Sequence, residues 1–253
     1  MRRPSSSYGS SISFGPGPLS PVLKSLIIAN VVLFVVRTLG EMSGIGLDWF
    51  LGLSPLEVLR GFRVWQLATY MFLHGGLFHI LFNMLALWMF GTELERIWGT
   101  RYFLKFYFVT GIGAGVLTVL FSLLPFGFAQ DVYFSRIIGA SGAIYGLLLA
   151  YGMYFPERTI YLYLFPVPAK YAVMIMGAIA LYSSLAERSG TANATHLGGL
   201  LVAWLFLKGG RLTLNPWAEV KYRFLKWKIA RARSKFDVYT GGRAGNDWDR
   251  RTH

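Results

Sequence analysis

The chain has 253 residues, 54% hydrophobic and 17% aromatic, with only 15% charged, whereas soluble domains carry roughly 25%. The absence of cysteine excludes disulfides, thiolate metal sites and a cysteine nucleophile. A net charge of +13 would suggest nucleic acid in a soluble protein. Here long apolar runs indicate an all-α polytopic membrane protein, and no nucleic-acid partner is expected.

Residues 1–21 open with Arg2 and Arg3 and continue through a Ser/Gly/Pro-rich stretch. They read as a disordered cytoplasmic N-terminus with no cleavable signal. Six apolar stretches follow: Val22–Leu39, Phe72–Phe90, Phe103–Leu124, Ile137–Phe155, Val167–Leu185 and Ala194–Leu207. The last falls short of the ~20 residues that cross a bilayer. Breakers separate them, at Gly40 and Gly44, Gly91 and Gly99, Pro125 and Gly127, Pro156, and Ser189-Gly190. The long connection Gly40–Met71 is rich in Trp, Leu and Phe and is predicted to lie in the membrane interface. The membrane domain is thus placed at 22–208, with a basic cytoplasmic tail at 209–253. From Lys208 onward twelve Lys and Arg face four acids, a net charge of about +8. In the tail Trp217, Val220, Phe224 and Trp227 recur at helical spacing among Lys221, Arg223, Lys226 and Lys228. That pattern predicts an amphipathic helix over 216–236 lying on anionic lipid.

Charge sets the orientation. With the N-terminus inside, the inner segments and tail hold 20 Lys and Arg and the outer segments five, namely Arg37, Arg60, Arg63, Arg136 and Arg188. This positive-inside asymmetry predicts cytoplasmic N- and C-termini, with a bacterial plasma membrane as the expected setting and an organelle's membrane as the alternative.

Three polar signatures fall near the starts of the second, fourth and sixth stretches: His79-x-x-x-Asn83, Gly139-Ala-Ser141-Gly142 and Asn193-Ala-Thr-His196. All three stretches run from outside to inside. Their polar residues lie about seven, four and two residues into the helices, within roughly 10 Å of depth at 1.5 Å rise per residue. Polar groups at hydrocarbon depth are costly and mark function.

Ser141, in a Gly-flanked turn at a helix start, has unpaired backbone N–H groups around it to receive negative charge. A serine hydroxyl needs a base to become a nucleophile, and His196 suits that role. His79 and Asn83 share a helix face and supply further donors for an oxyanion hole together with the Ser141 N–H. Tyr145, one turn below Ser141, is placed to stack on the His196 imidazole. Gly139 and Gly142 support the turn. No acid occupies a matching position, so the arrangement reads as a Ser–His dyad. His74, five residues before His79, falls on another helix face and reads as a structural hydrogen bonder. The chain has no zinc motif and no intramembrane aspartate pair, and neither metal nor cofactor is expected.

These residues resemble the rhomboid intramembrane serine proteases over roughly Val22 to Lys208. The matching motifs are Phe72-Leu-His74, His79-Ile-Leu-Phe-Asn83, Gly91 with Glu95, Gly139-Ala-Ser141-Gly142 with Tyr145, and Asn193-Ala-Thr-His196-Leu-Gly-Gly199. The resemblance implies a six-transmembrane-helix rhomboid-like bundle with Ser141 as nucleophile, His196 as general base, and His79 and Asn83 at the oxyanion hole. The implied substrates are transmembrane segments of other membrane proteins, cut near the outer face. The alternative is a catalytically silent relative that binds client membrane helices. Two departures stand out: Trp65-Gln66 where the family commonly has Trp-Arg, and Thr195 where alanine is common. The first removes a charged anchor from the first loop. The second adds a hydroxyl expected to bond locally.

Overall fold

The computed structural model describes residues 17–162, 165–186 and 191–209. The expected disordered N-terminus falls almost wholly outside these residues, and the tail helix entirely so. The chain divides into two compact units, Met1–Lys208 and Gly209–His253.

Helix α1 (Pro21–Met42) starts where Ser20 accepts a bond from the Leu23 N–H, 3.1 Å, with Pro21 in the first turn. This is a favourable helix entry, because proline lacks only an N–H that would be unpaired there anyway. Three short helices follow in the first loop: α2 (Asp48–Leu51), α3 (Pro55–Arg60) and α4 (Gln66–Thr69), then a 3-10 turn at Tyr70–Phe72. Helix α5 (Leu77–Ala86) passes through a wide π-helical turn (Leu87–Gly91) into α6 (Thr92–Trp98), and α7 covers Thr100–Phe121. A short helix α8 (Gly127–Phe134) precedes α9 (Ser141–Tyr154). The antiparallel strands β1 (Thr159–Leu162) and β2 (Phe165–Pro168) lead into α10 (Ala169–Ala186) and α11 (Thr191–Gly209).

Three of these spans are both long and apolar enough to cross a bilayer, each of 22 residues: Pro21–Met42, Leu77–Trp98 and Thr100–Phe121. At 1.5 Å per residue each reaches about 33 Å, slightly more than a ~30 Å hydrocarbon core. The sixth stretch is longer than its composition suggested, 19 residues from Thr191 to Gly209. The fourth is the short one, with 14 residues. Helix α9 is buried on nearly every side, at Gly142, Ala143, Ile144, Gly146, Leu147, Leu148, Ala150, Tyr151 and Gly152, and a helix apolar all round belongs in the centre of a bundle. The hairpin is an addition to the otherwise helical architecture. Its prolines, Pro166 and Pro168, pair with Tyr161 and Thr159, which a two-stranded ladder tolerates because its strands are all edges.

The first loop has the composition of an interfacial segment. Trp49, Phe50, Phe62, Val64 and Trp65 all project outward, where aromatic rings favour the headgroup level. Its base is polar. Arg37 near the C-terminal end of α1 clasps Asp48 with two bonds of 2.7 Å. Gln66, fully buried, accepts from the Ser54 N–H at 3.1 Å and donates to Glu57 at 2.7 Å. Glu57 also receives Arg63 at 2.9 Å and Arg136 at 3.0 Å. The positive charge that Gln66 does not supply therefore reaches Glu57 from two other arginines.

Burial pushes the Glu57 carboxyl up, but hydrogen bonds from Arg136 and Gln66, with the charges of Arg136 and Arg63, outweigh it and hold the group below its ordinary value. A carboxylate depressed in the folded state stabilises the fold above its unfolded pKa of about 4.3, and that stability is lost as pH falls through the folded value. The thermal midpoint of the purified protein is thus expected to drop as pH falls from about 5 towards 3. Glu57→Gln should have a lower midpoint at neutral pH and a flatter acid limb. An unchanged acid limb would remove Glu57 from the acid response.

Candidate active site

Ser141 is the first residue of α9, not about the fourth, because Gly139 adopts φ +128 and keeps the preceding residues out of the helix. A side chain at Gly139 would collide with His79, its Cβ falling 2.7 Å from Nε2. Only glycine combines that left-handed φ with that close approach. His79 is the third residue of α5 and His196 the sixth of α11. The first shift arises because the chain turns at Gly75-Gly76 before helix α5 begins. The second arises because α11 starts at Thr191, ahead of the apolar residues that suggested its boundary.

The structure brings Ser141 and His196 together, with Oγ and Nε2 2.8 Å apart. Tyr145 lies against the same imidazole, its ring nearly parallel at 8° and 4.2 Å between centroids. Such stacking fixes the imidazole plane without a charged partner. His196 Nδ1 is buried with no hydrogen-bond partner among the described residues. With Nε2 accepting from the serine hydroxyl, the ring proton resides on Nδ1.

His79 Nδ1 accepts from the Gly75 N–H at 3.4 Å, which leaves the proton on Nε2, the atom facing Gly139. A ring N–H beside the serine turn is a donor suited to a developing oxyanion. Asn83 differs from expectation. Its side chain is buried and donates to the His79 carbonyl at 2.7 Å, so it is tied to its own helix and is not hydrogen-bonded to Ser141 or His196. His74 also differs. It precedes α5 and is not on one of its faces, and the Gly75-Gly76 turn folds it onto His79, rings edge to face at 5.0 Å.

The surrounding helices fit closely. A Cβ at Gly199 would lie 2.0 Å from the Gly142 carbonyl oxygen, so α9 and α11 touch backbone to backbone just below the dyad. The Tyr70 hydroxyl donates to the Gly111 carbonyl of α7 at 2.7 Å. Thr195 bonds across helices, its hydroxyl 3.0 Å from that of Thr118 in α7.

Sequence reasoning missed several polar residues that the fold holds by hydrogen bonds. Asn30 is buried midway along α1, donating to the Leu26 carbonyl at 2.8 Å, although an amide in an apolar helix was a visible signal. Tyr70 and Arg136 were hidden in segments read as loop. Arg136 had one clue, a basic residue in outer segments that hold few.

A family profile described as Rhomboid domain matches residues 61–209. Among curated relatives, RHOMBOID-like protein 12, mitochondrial, of Arabidopsis thaliana is 29% identical over 206 residues, covering 75% of this chain and 59% of its own length. Rhomboid protein 1, mitochondrial, of Saccharomyces cerevisiae is 35% identical over 137 residues, 53% of this chain and 38% of its own. Rhomboid protease GlpG of Yersinia pestis is 30% identical over 203 residues, 79% and 65% respectively. The chain spans less than two thirds of the length of each of these relatives. With apolar spans long enough to cross a bilayer and the rhomboid profile matched over more than half its length, the chain is an integral membrane protein belonging to the rhomboid family.

Proposed function

We propose that this protein is an intramembrane serine endopeptidase that cuts transmembrane segments of other membrane proteins near the outer face. The observation carrying the reading is the Ser141–His196 contact of 2.8 Å, with a second ring N–H, that of His79, turned towards the same serine loop.

The Ser141 Oγ attacks the scissile carbonyl carbon while its proton passes to His196 Nε2. The carbonyl oxygen becomes an oxyanion, received by the Ser141 N–H and the His79 Nε2–H. Asn83 joins them once its amide turns from the His79 carbonyl. Collapse breaks the C–N bond, and His196 returns the proton to the leaving amine. Water then gives a proton to His196 and attacks the acyl ester, releasing the new carboxyl end and restoring Ser141. Substrate segments with Gly, Pro or other helix-weakening residues suit the site, because a helical backbone shields its carbonyls.

The positive-inside asymmetry supports N- and C-termini on the cytoplasmic side of a bacterial plasma membrane. Two relatives carry mitochondrial in their names, and the same topology serves an organelle's inner membrane. Residues 22–208 form the catalytic membrane domain, residues 1–21 are a cytoplasmic extension, and the basic tail at 209–253 lies on anionic lipid.

The test is cleavage of a single-span model substrate by purified protein in lipid, with fluorophosphonate labelling mapped by mass spectrometry. Cleavage near the outer end and labelling at Ser141 are expected. Intact substrate and an unlabelled Ser141 in folded protein would favour the silent, helix-binding relative.

A further inference from the structure

We propose that Arg136 is a positioning residue for the serine: it clamps the first loop to the segment that delivers Ser141 to the dyad. Arg136 stands five residues before Ser141, between α8 and α9, yet its guanidinium is spent entirely on the first loop. Nη1 donates to the Asp48 carbonyl at 2.7 Å and the Trp49 carbonyl at 3.1 Å. Nη2 donates to Glu57 at 3.0 Å. The guanidinium also covers the Trp49 ring, 4.2 Å from its centroid. A planar cation that holds two loop carbonyls, a carboxylate and an aromatic face at once fixes direction as well as distance.

The backbone continues the clamp. Ile137 pairs with Leu53 through two bonds, 2.8 and 2.9 Å. The Gly139 N–H then donates to the Tyr70 carbonyl at 2.9 Å. Residues 136–139 thus lie along the first loop like a short strand, and the next turn is Ala140-Ser141. The loop holds this strand at its start by charge and at its end by the Tyr70 carbonyl, which leaves the Ser141 hydroxyl little freedom in its approach to His196. Catalytic rates depend steeply on such placement, and a misplacement of about 1 Å can cost on the order of 100-fold.

Arg63 supplies the internal comparison. It shares two of Arg136's partners, donating to Glu57 and to the Trp49 carbonyl, each at 2.9 Å, but it lies within the first loop and not in the short segment that leads into Ser141. Loss of either arginine removes similar loop bonds. Only loss of Arg136 releases the serine segment.

The experiment compares the full-length wild type, Arg63→Ala, Arg136→Ala and Arg136→Lys in lipid nanodiscs, well below their thermal midpoints. Two readouts are taken: hydrogen exchange at the Ile137 and Gly139 amides, and the rate of fluorophosphonate labelling at Ser141. Arg136→Ala is expected to speed exchange at both amides and to slow labelling about tenfold. Arg136→Lys, which keeps the charge but loses the fork, should fall between, and it decides the matter if the alanine variant does not fold. Arg63→Ala should lower the thermal midpoint and leave both readouts at wild-type values. Equal behaviour of the Arg63 and Arg136 variants in both readouts would overturn the proposal. The rate readout rests on the serine-protease reading, whereas amide exchange does not. An unlabelled wild type would therefore count against the nucleophile, while exchange would still decide the clamp.

Discussion

Replacing Ser141 with alanine is expected to lower cleavage of a membrane-embedded substrate by on the order of 10⁴-fold or more and to abolish fluorophosphonate labelling. His196→Gln should cost nearly as much, and the double variant little more than either alone. The reason is geometric. In the proposed mechanism the 2.8 Å contact joins serine and histidine into one proton-transfer unit, and removal of either member removes the same step. Neither change disturbs the helices around the dyad, so thermal midpoints should stay close to wild type and substrate should still bind. Full proteolysis in Ser141→Ala protein would eliminate the proposed mechanism. Additive losses in the double variant would mean that the two residues act separately.

Gly199→Ala is expected to damage both stability and the site. The added methyl would sit 2.0 Å from the Gly142 carbonyl oxygen, a backbone atom that cannot swing aside as a side-chain tip does. Relief requires α11 to move away from α9, and overpacking of this kind costs roughly 1–3 kcal/mol or more. Gly142 is the neighbour of Ser141, and His196 lies three residues before Gly199. The same displacement therefore lengthens the serine–histidine contact. The expected result is a marked fall in thermal midpoint together with a loss of labelling that persists at low temperature. Gly127→Ala serves as the comparison, since nothing lies within 4 Å of its added carbon, and it should leave both quantities near wild type. A wild-type midpoint for Gly199→Ala would mean that the two helices do not pack backbone to backbone.

The grouping of the polar residues was more legible in the chain than the helix boundaries were. Ser141, His196 and His79 stood out because polar groups are conspicuous in apolar stretches, and the helix parity grouped them. The Tyr145 stack followed from one turn of helical spacing below Ser141. Helix starts were less visible, because hydropathy does not register where a backbone turns. Phe72 and Leu73 are as apolar as the helix they precede, yet the chain passes through a 3-10 turn and Gly75-Gly76 before α5 begins. The hairpin at 159–168 was obscured by its own prolines, which usually signal loop. Long-range bonds were the least visible of all: nothing local to Arg136 announces a carboxylate 79 residues away. The one available hint was charge balance, since the first loop carries Asp48 and Glu57 among few outer cations. In the fold those acids take Arg37, Arg63 and Arg136 as partners. Asn83 shows a further limit, because residue type and spacing do not say where an amide bonds, and here it donates to the His79 carbonyl of its own helix.

The wide turn at Leu87–Gly91 has a further consequence for the span that contains it. Above it, His79 faces the serine loop. Below it, Glu95 is buried and receives hydroxyl bonds from Ser20 and from Thr100 at 2.7 Å. In an unbroken α-helix the directions of these two residues would be locked together at about 100° per residue. A turn holding one extra residue offsets the lower half by about that angle, so Glu95 faces a direction that an unbroken helix would not give it. One rod thereby carries two orientations, much as a crankshaft carries offset journals.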